Sequence, residues 1–186
     1  MRRRGTYEDI EKLPEHLVGE LIDGELIVSP RPRPRHSLAS SELGAQIIPA
    51  VRRRRGDPTG GWWILDEPEL HLAHGDVLVP DLAGWRRERL PVLPEEVGIT
   101  VAPDWVCEVL SPSTARVDRI RKLPIYAKNG VEWCWIVDAS NETIEVLRRE
   151  GERWIIEGTV GGREPARLAP FAEVELDLAL VWEAGG

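Results

Sequence analysis

Apolar residues recur along this chain mostly in short runs with a spacing of two, the signature of strands, and twice at spacings of three and four, the signature of amphipathic helices. Residues 6–15 hold acids and one proline and predict a short helix. In residues 20–28, Asp23-Gly24 sits between two apolar pairs, the strongest hairpin signal in the chain. Residues 29–35 alternate proline and arginine, which predicts a loop of polyproline character whose arginines suit solvent first and phosphate second. Residues 36–55 predict the main N-terminal helix, with Leu38, Leu43, Ile47, Ile48 and Val51 near one face and Pro49 as a kink. Four arginines, Arg52 to Arg55, then place cations at the negative end of that helix, Gly56 serves as its stop, and residues 57–61 form a turn.

The second half reads as strand material around one further helix. Residues 62–65 and 69–72 predict strands, residues 73–76 a turn, and residues 77–85 a returning strand that carries Pro80-Asp81. A proline inside a strand belongs at an edge, an end or a bulge, so Asp81 is expected where the ladder loosens and its side chain can be re-aimed. Residues 86–103 are polar and proline-rich and predict a loop. Residues 105–110 form the central strand, with Val106, Glu108 and Leu110 on one face and Trp105, Cys107 and Val109 on the other. Residues 115–129 predict a helix on which Arg119, Lys122 and Tyr126 share a face, with a break near Pro124 and a stop at Asn129-Gly130. A buried strand over residues 131–137 follows and ends in Asp138, making a crossover that is right-handed if the two strands are parallel. Residues 144–149 and 153–157 predict a second hairpin, and the tail over residues 172–182 is expected to cover a sheet edge.

With 186 residues, 42% hydrophobic and 30% charged, the chain has the size and make-up of one globular domain. It divides into an N-terminal hairpin and helix (1–56), a core (62–138) and a C-terminal hairpin and tail (139–186). No apolar run is long enough to span a membrane and no apolar stretch follows the basic N-terminus, so a cytoplasmic protein is expected. Cys107 and Cys134 lie inside apolar runs and read as buried thiols. The net charge of -8 argues mildly against a nucleic-acid partner, but it is uneven: residues 1–60 hold 11 basic and 9 acidic side chains, the remainder 13 and 23.

Glu108 stands out chemically, because an ionised carboxylate on an apolar strand face is costly unless it is paired or bound to a cation. Asp81 ends another apolar run, and Lys122 follows on the next helix. Two strand-end acids could hold a magnesium ion that keeps waters in its shell, and a lysine could stabilise developing negative charge; together they suit phosphodiester cleavage. Glu42, Glu67 and Glu69 read as surface or outlying acids. His71 and His74 lack a third ligand at zinc-like spacing. Ser111-Pro112-Ser113-Thr114 reads as a helix cap, since no base accompanies it.

The stretches Val79-Pro80-Asp81, Glu108-Val-Leu-Ser-Pro-Ser-Thr114, Lys122-Leu-Pro-Ile-Tyr126-Ala and Gly130-Val-Glu-Trp-Cys-Trp-Ile-Val-Asp138 resemble the Uma-two family, restriction-endonuclease-like proteins of bacteria in the PD-(D/E)XK nuclease superfamily. Glu20 to Leu26, Ser29-Pro30 and His36 resemble that family's N-terminal pattern. The resemblance implies an α/β fold with a mixed central sheet flanked by helices and extra hairpins. It implies a DNA endonuclease acting as a homodimer, with Asp81, Glu108 and the carbonyl of Val109 binding Mg²⁺ or Mn²⁺. The superfamily's lysine two residues after the second acid is replaced here by Leu110, so Lys122 would act from the other side. The rival readings are a catalytically silent nuclease-fold module that binds DNA or protein, and a metal-dependent hydrolase of another phosphate ester.

Overall fold

Asp23 and Gly24 both take positive φ, 53° and 76°, as a tight two-residue hairpin turn requires. They join β1 (Leu17–Ile22) to β2 (Glu25–Pro30), with Ile22 opposite Glu25. The structure is a computed structural model in which residues 4–52 and 60–183 are described. Of the arginine run, stop and turn expected after the first long helix, only Arg52, Gly60 and Gly61 lie within the described residues.

The hairpin opens a five-stranded sheet of order β2-β1-β5-β4-β7, completed by β4 (Glu69–His71), β5 (Val77–Leu78) and β7 (Gly98–Ile99). A six-stranded sheet has the order β11-β10-β9-β8-β6-β3. It contains β3 (Trp62–Asp66), β6 (Leu82–Arg86), β8 (Trp105–Val109), β9 (Trp133–Asp138), β10 (Thr143–Glu150) and β11 (Arg153–Gly161). The expected fold class, α/β with mixed sheet flanked by helices, is the observed one, with the strands divided between two mixed sheets. The strand expected over residues 77–85 is a correction. It is two strands in two sheets, because Pro80 has no N–H to continue a ladder and the chain changes sheets across Val79-Pro80-Asp81. β8 and β9 are parallel, with Glu108 level with Ile136.

Helix α1 (Tyr7–Glu11) is shorter than expected and starts at a capping box in which Asp9 accepts from the Thr6 backbone N–H at 2.9 Å. Helix α2 (Pro34–Val51) has Pro34 in its first turn, where the missing N–H is harmless, and it continues two residues past Pro49. The second long helical region comes in three parts: α3 (Ala115–Val117), a π-helical turn (Asp118–Lys122) and α4 (Leu123–Lys128), with Pro124 in the first turn of α4. The break expected near Pro124 is therefore a π turn just ahead of it.

The six-stranded sheet is covered on both faces. Trp105, Cys107 and Val109 pack toward Leu43 and Ile47 of α2 and toward α5 (Leu178–Trp182). Val106 and Ile136 pack toward Tyr126 of α4 and toward Ile22 and Leu78 of the other sheet. The tail is thus part of a main core rather than an edge cover: Leu178, Val181 and Trp182 are buried. The eight tryptophans serve the interior as well, since none is exposed. No helix among the described residues is long and apolar enough to cross a membrane.

Phe171 sits edge-on to Trp62, Trp105 and Trp135 with ring centroids 5.0, 5.0 and 5.8 Å away. Phe171→Ala removes the hub of this cluster and is expected to lower unfolding free energy by about 3–5 kcal/mol in urea titrations, with loss of near-ultraviolet tryptophan signal.

Candidate active site

The site forms where β6 and β8 part. Their last pair is Leu82 with Cys107, and one step further the same count brings Asp81 level with Glu108. Pro80 ends the ladder there, so the Asp81 side chain takes the place of a backbone acceptor: its Oδ2 accepts the Val109 N–H at 2.6 Å. Its Oδ1 lies 3.2 Å from Nε2 of His36, in the first turn of α2. Burial opposes a charge on His36, but the hydrogen bond to Asp81, that carboxylate's charge and the Val109 carbonyl outweigh it and raise the imidazole pKa.

On the opposite face of β8 from α2, Glu108 is 3% exposed. Its Oε1 accepts from Tyr126 Oη at 2.5 Å and meets Lys122 Nζ at 2.8 Å. The same ammonium lies 2.9 Å from Glu20 Oε1 and 3.6 Å from Asp118 Oδ1, and it donates to the Val79 carbonyl at 3.3 Å. Glu20 is held in turn by the Val79 N–H at 2.8 Å. Glu20, Glu108, Asp118 and Lys122 are all buried. Three carboxylates thus surround one ammonium, a surplus of two negative charges if all are ionised. Burial drives the Glu108 carboxyl well above its ordinary pKa against the pull of Lys122. Burial also raises Asp118, offset in part by Lys122 and the Thr114 hydroxyl. For Lys122 burial works the other way, but Glu108, Glu20 and Asp118 overcome it and hold the ammonium well above the ordinary lysine value.

A cleft of about 460 Å³ opens over this group, with Asp81, Glu108, Val109, His36, Asp118 and Lys122 in its wall and Arg33 near its mouth. A divalent cation suits the donor chemistry here. Two carboxylates and a carbonyl are the sparse oxygen set with which Mg²⁺ keeps its waters, and the acids of the cluster outnumber its ammonium. Among the described residues no group of three or more His, Cys, Asp and Glu side chains is arranged to hold a metal ion, so a site here rests on two acids and backbone oxygen.

Asp81, Glu108 and Val109 therefore stand together, with Lys122 beside Glu108. Arg119 does not share the face expected of it. The π turn carries it outward, where its guanidinium makes two 2.8 Å bonds to Glu145. Glu67 pairs with Arg31 at 3.0 Å, and Glu69 is taken by Tyr7 and His71 at 2.6 Å each. Ser111 and Thr114 bond reciprocally, backbone to hydroxyl, at the start of α3. Sequence reasoning missed Glu20, Asp118 and His36 as parts of the site. Glu20 carried the signal that exposed Glu108, an acid inside an apolar strand, and Asp118 stands four residues before Lys122, one helical turn away. His36 carried only its place in the N-terminal pattern.

A sequence model of the family Uma2, described as "Putative restriction endonuclease", matches residues 6–180. Among solved structures, the chain is similar to a "putative nuclease belonging to DUF820" from Anabaena variabilis, at 23% identity over 96% of this chain and 98% of that one, with a TM-score of 0.75. At that identity the likeness speaks for the fold. No curated protein matches the chain.

Removing the one cation among three buried carboxylates is expected to be severe. Lys122→Met should lower stability by about 3–5 kcal/mol in urea unfolding at pH 7, and Glu20→Gln in that background should restore part of the loss. A change within about 1 kcal/mol of wild type would contradict the buried-charge description.

Proposed function

The chain belongs to the Uma2 family, and from that premise we propose that it is an endonuclease that hydrolyses DNA phosphodiester bonds with the aid of a divalent cation, Mg²⁺ or Mn²⁺. The observation that carries the reading is the meeting of Asp81 and Glu108, distant in sequence, at one strand end in the wall of a cleft that Val109, whose carbonyl is the third candidate donor, also lines. Asp81, Glu108 and that carbonyl would hold the ion. A bound ion supplies a more acidic water and neutralises charge on the phosphoryl oxygens.

The protein's own groups divide the remaining work. Val109 N–H fixes one oxygen of Asp81 and leaves the other facing His36. Tyr126 and Lys122 grip one oxygen of Glu108 and hold the carboxylate in place. The Lys122 ammonium is hemmed in by Glu20, Glu108 and the Val79 carbonyl, so its contribution to the reaction is its field. It offsets the charge of the acids and of the phosphate drawn near them. Arg33, exposed near the mouth, is placed to meet a phosphate of the substrate backbone. The reading takes residues 1–186 as one restriction-endonuclease-like domain in the cytoplasm. One catalytic cleft per chain implies a homodimer for cutting both strands.

Nicking of supercoiled plasmid in Mg²⁺ or Mn²⁺ tests the proposal. Asp81→Ala and Glu108→Ala should each reduce the rate by about 100-fold or more in protein that keeps its circular dichroism spectrum. Activity unchanged in both variants would remove the site. Firm DNA binding by the wild type without metal-dependent cutting would favour the non-catalytic module.

A further inference from the structure

We propose that the outer edge of β11 is the contact surface of a homodimer, pairing antiparallel with β11 of a second copy about a two-fold axis at Ile155; the inference rests on the homodimer reading above. β11 ends the six-stranded sheet and pairs only with β10. On β10, the Arg149 N–H turns away from β11 and donates to the Glu132 carbonyl at 2.8 Å. Trp154 stands opposite Arg149. By the alternation of an antiparallel ladder, Trp154 and Ile156 therefore turn their N–H and C=O groups outward. Among the described residues no backbone or side-chain group meets them. An open edge of this kind is a template for another strand, and natural edges are commonly blunted with lysine or proline. β11 holds neither, and Ile156 is 63% exposed on it.

The side chains of this edge are complementary to themselves. Arg148 stands opposite Ile155 and bonds Glu157 at 2.9 Å, so Glu157 shares the face of Ile155 and Arg153. Arg153 is exposed and bonds no acid among the described residues. A two-fold axis at Ile155 sets Arg153 of each copy opposite Glu157 of the other, and Trp154 opposite Ile156 on the second face. Trp154 and Ile156, both outward-facing, then exchange hydrogen bonds, and the two Ile155 residues face each other at a position without them. Moving the axis to Trp154 or Ile156 would oppose Arg153 to Ile155 or Thr159 and lose both charge pairs. A patch that carries its own complement fits a second copy of the same chain. Glu157 is the extra residue of a bulge, since Leu147 faces Ile156 and Val146 faces Gly158, so the pairing stretch ends with the charge pairs. The flank is apolar as well. Trp154 Nε1 donates to the Leu123 carbonyl at 2.8 Å, and Ile120, in the π turn that leads to Leu123, is 61% exposed.

Disulfide trapping reads the register itself. Antiparallel partners without mutual hydrogen bonds lie about 4.5 Å apart at Cα, within the span of a disulfide. Ile155→Cys should therefore give a covalent dimer in mild oxidant, and Thr159→Cys should not. The wild type should not cross-link either, because Cys107 and Cys134 are buried. By analytical ultracentrifugation the wild type should be dimeric at micromolar concentration. Arg153→Glu should weaken the dimer about 10-fold or more, and Arg153→Glu/Glu157→Arg should restore it. A monomeric wild type would overturn the proposal. So would a dimer that Ile155→Cys does not lock, or a double variant no tighter than Arg153→Glu. Metal-dependent nicking of plasmid by the wild type is measured alongside. Nicking without β11 pairing would sink this surface and leave the endonuclease standing; a dimer locked at Ile155 that cuts nothing would do the reverse.

Discussion

The ammonium of Lys122 is the contact on which the arrangement turns. It lies 2.8 Å from Glu108 and 2.9 Å from Glu20, and all three groups are shut away from water. Removing such charges from solvent costs several kcal/mol each, and only close pairing makes up for it. Pairing one cation with several acids leaves the cluster short of positive charge. A buried ion pair of equal charges would be a finished structural element; this one sets three acids against one ammonium in the wall of a cleft, the excess on which the proposed metal site would draw. The same contact joins β1 of one sheet, β8 of the other and the π turn, so charge and architecture are fixed together.

The second constraint is the break at Pro80. A continuous strand over residues 77–85 would have kept Asp81 in the ladder. Because the chain leaves one sheet and enters the other there, Asp81 is free to bond the Val109 N–H with one oxygen and face His36 with the other. Helices approach this strand end from both faces of the six-stranded sheet, α2 bringing His36 and the π turn bringing Lys122 and Asp118. A site at the frayed end of a central strand, served by side chains from both layers, needs only a few residues from each element.

Much of this was legible in the sequence, for definite physical reasons. Asp23-Gly24 announced its hairpin because few residues tolerate positive φ at two successive positions. Glu108 announced itself as a charge on an apolar face, and Pro80 marked the loosening next to Asp81. The faces of β8 divided as the period of two required. What was not legible depended on neighbours distant in sequence. Nothing local told that residues 77–85 serve two sheets. Arg119 was misplaced because a π turn carries more residues per turn than the spacing of three and four assumes. The tail was read as an edge cover because its short apolar pairs do not reveal which face they meet; α5 proved to be core against α2. Glu20 is buried by Lys122, which is distant from it in sequence, so its own stretch does not reveal its place.

The claim beneath the functional reading is that Asp81 and Glu108 share one divalent ion. Anomalous diffraction at the manganese edge from crystals soaked in Mn²⁺ addresses it directly. The expected result is a single peak at the head of the cleft, about 2.0–2.4 Å from an oxygen of each carboxylate and from the Val109 carbonyl. A fully soaked crystal with no peak there, and with Glu108 still bound only to Lys122 and Tyr126, would contradict it.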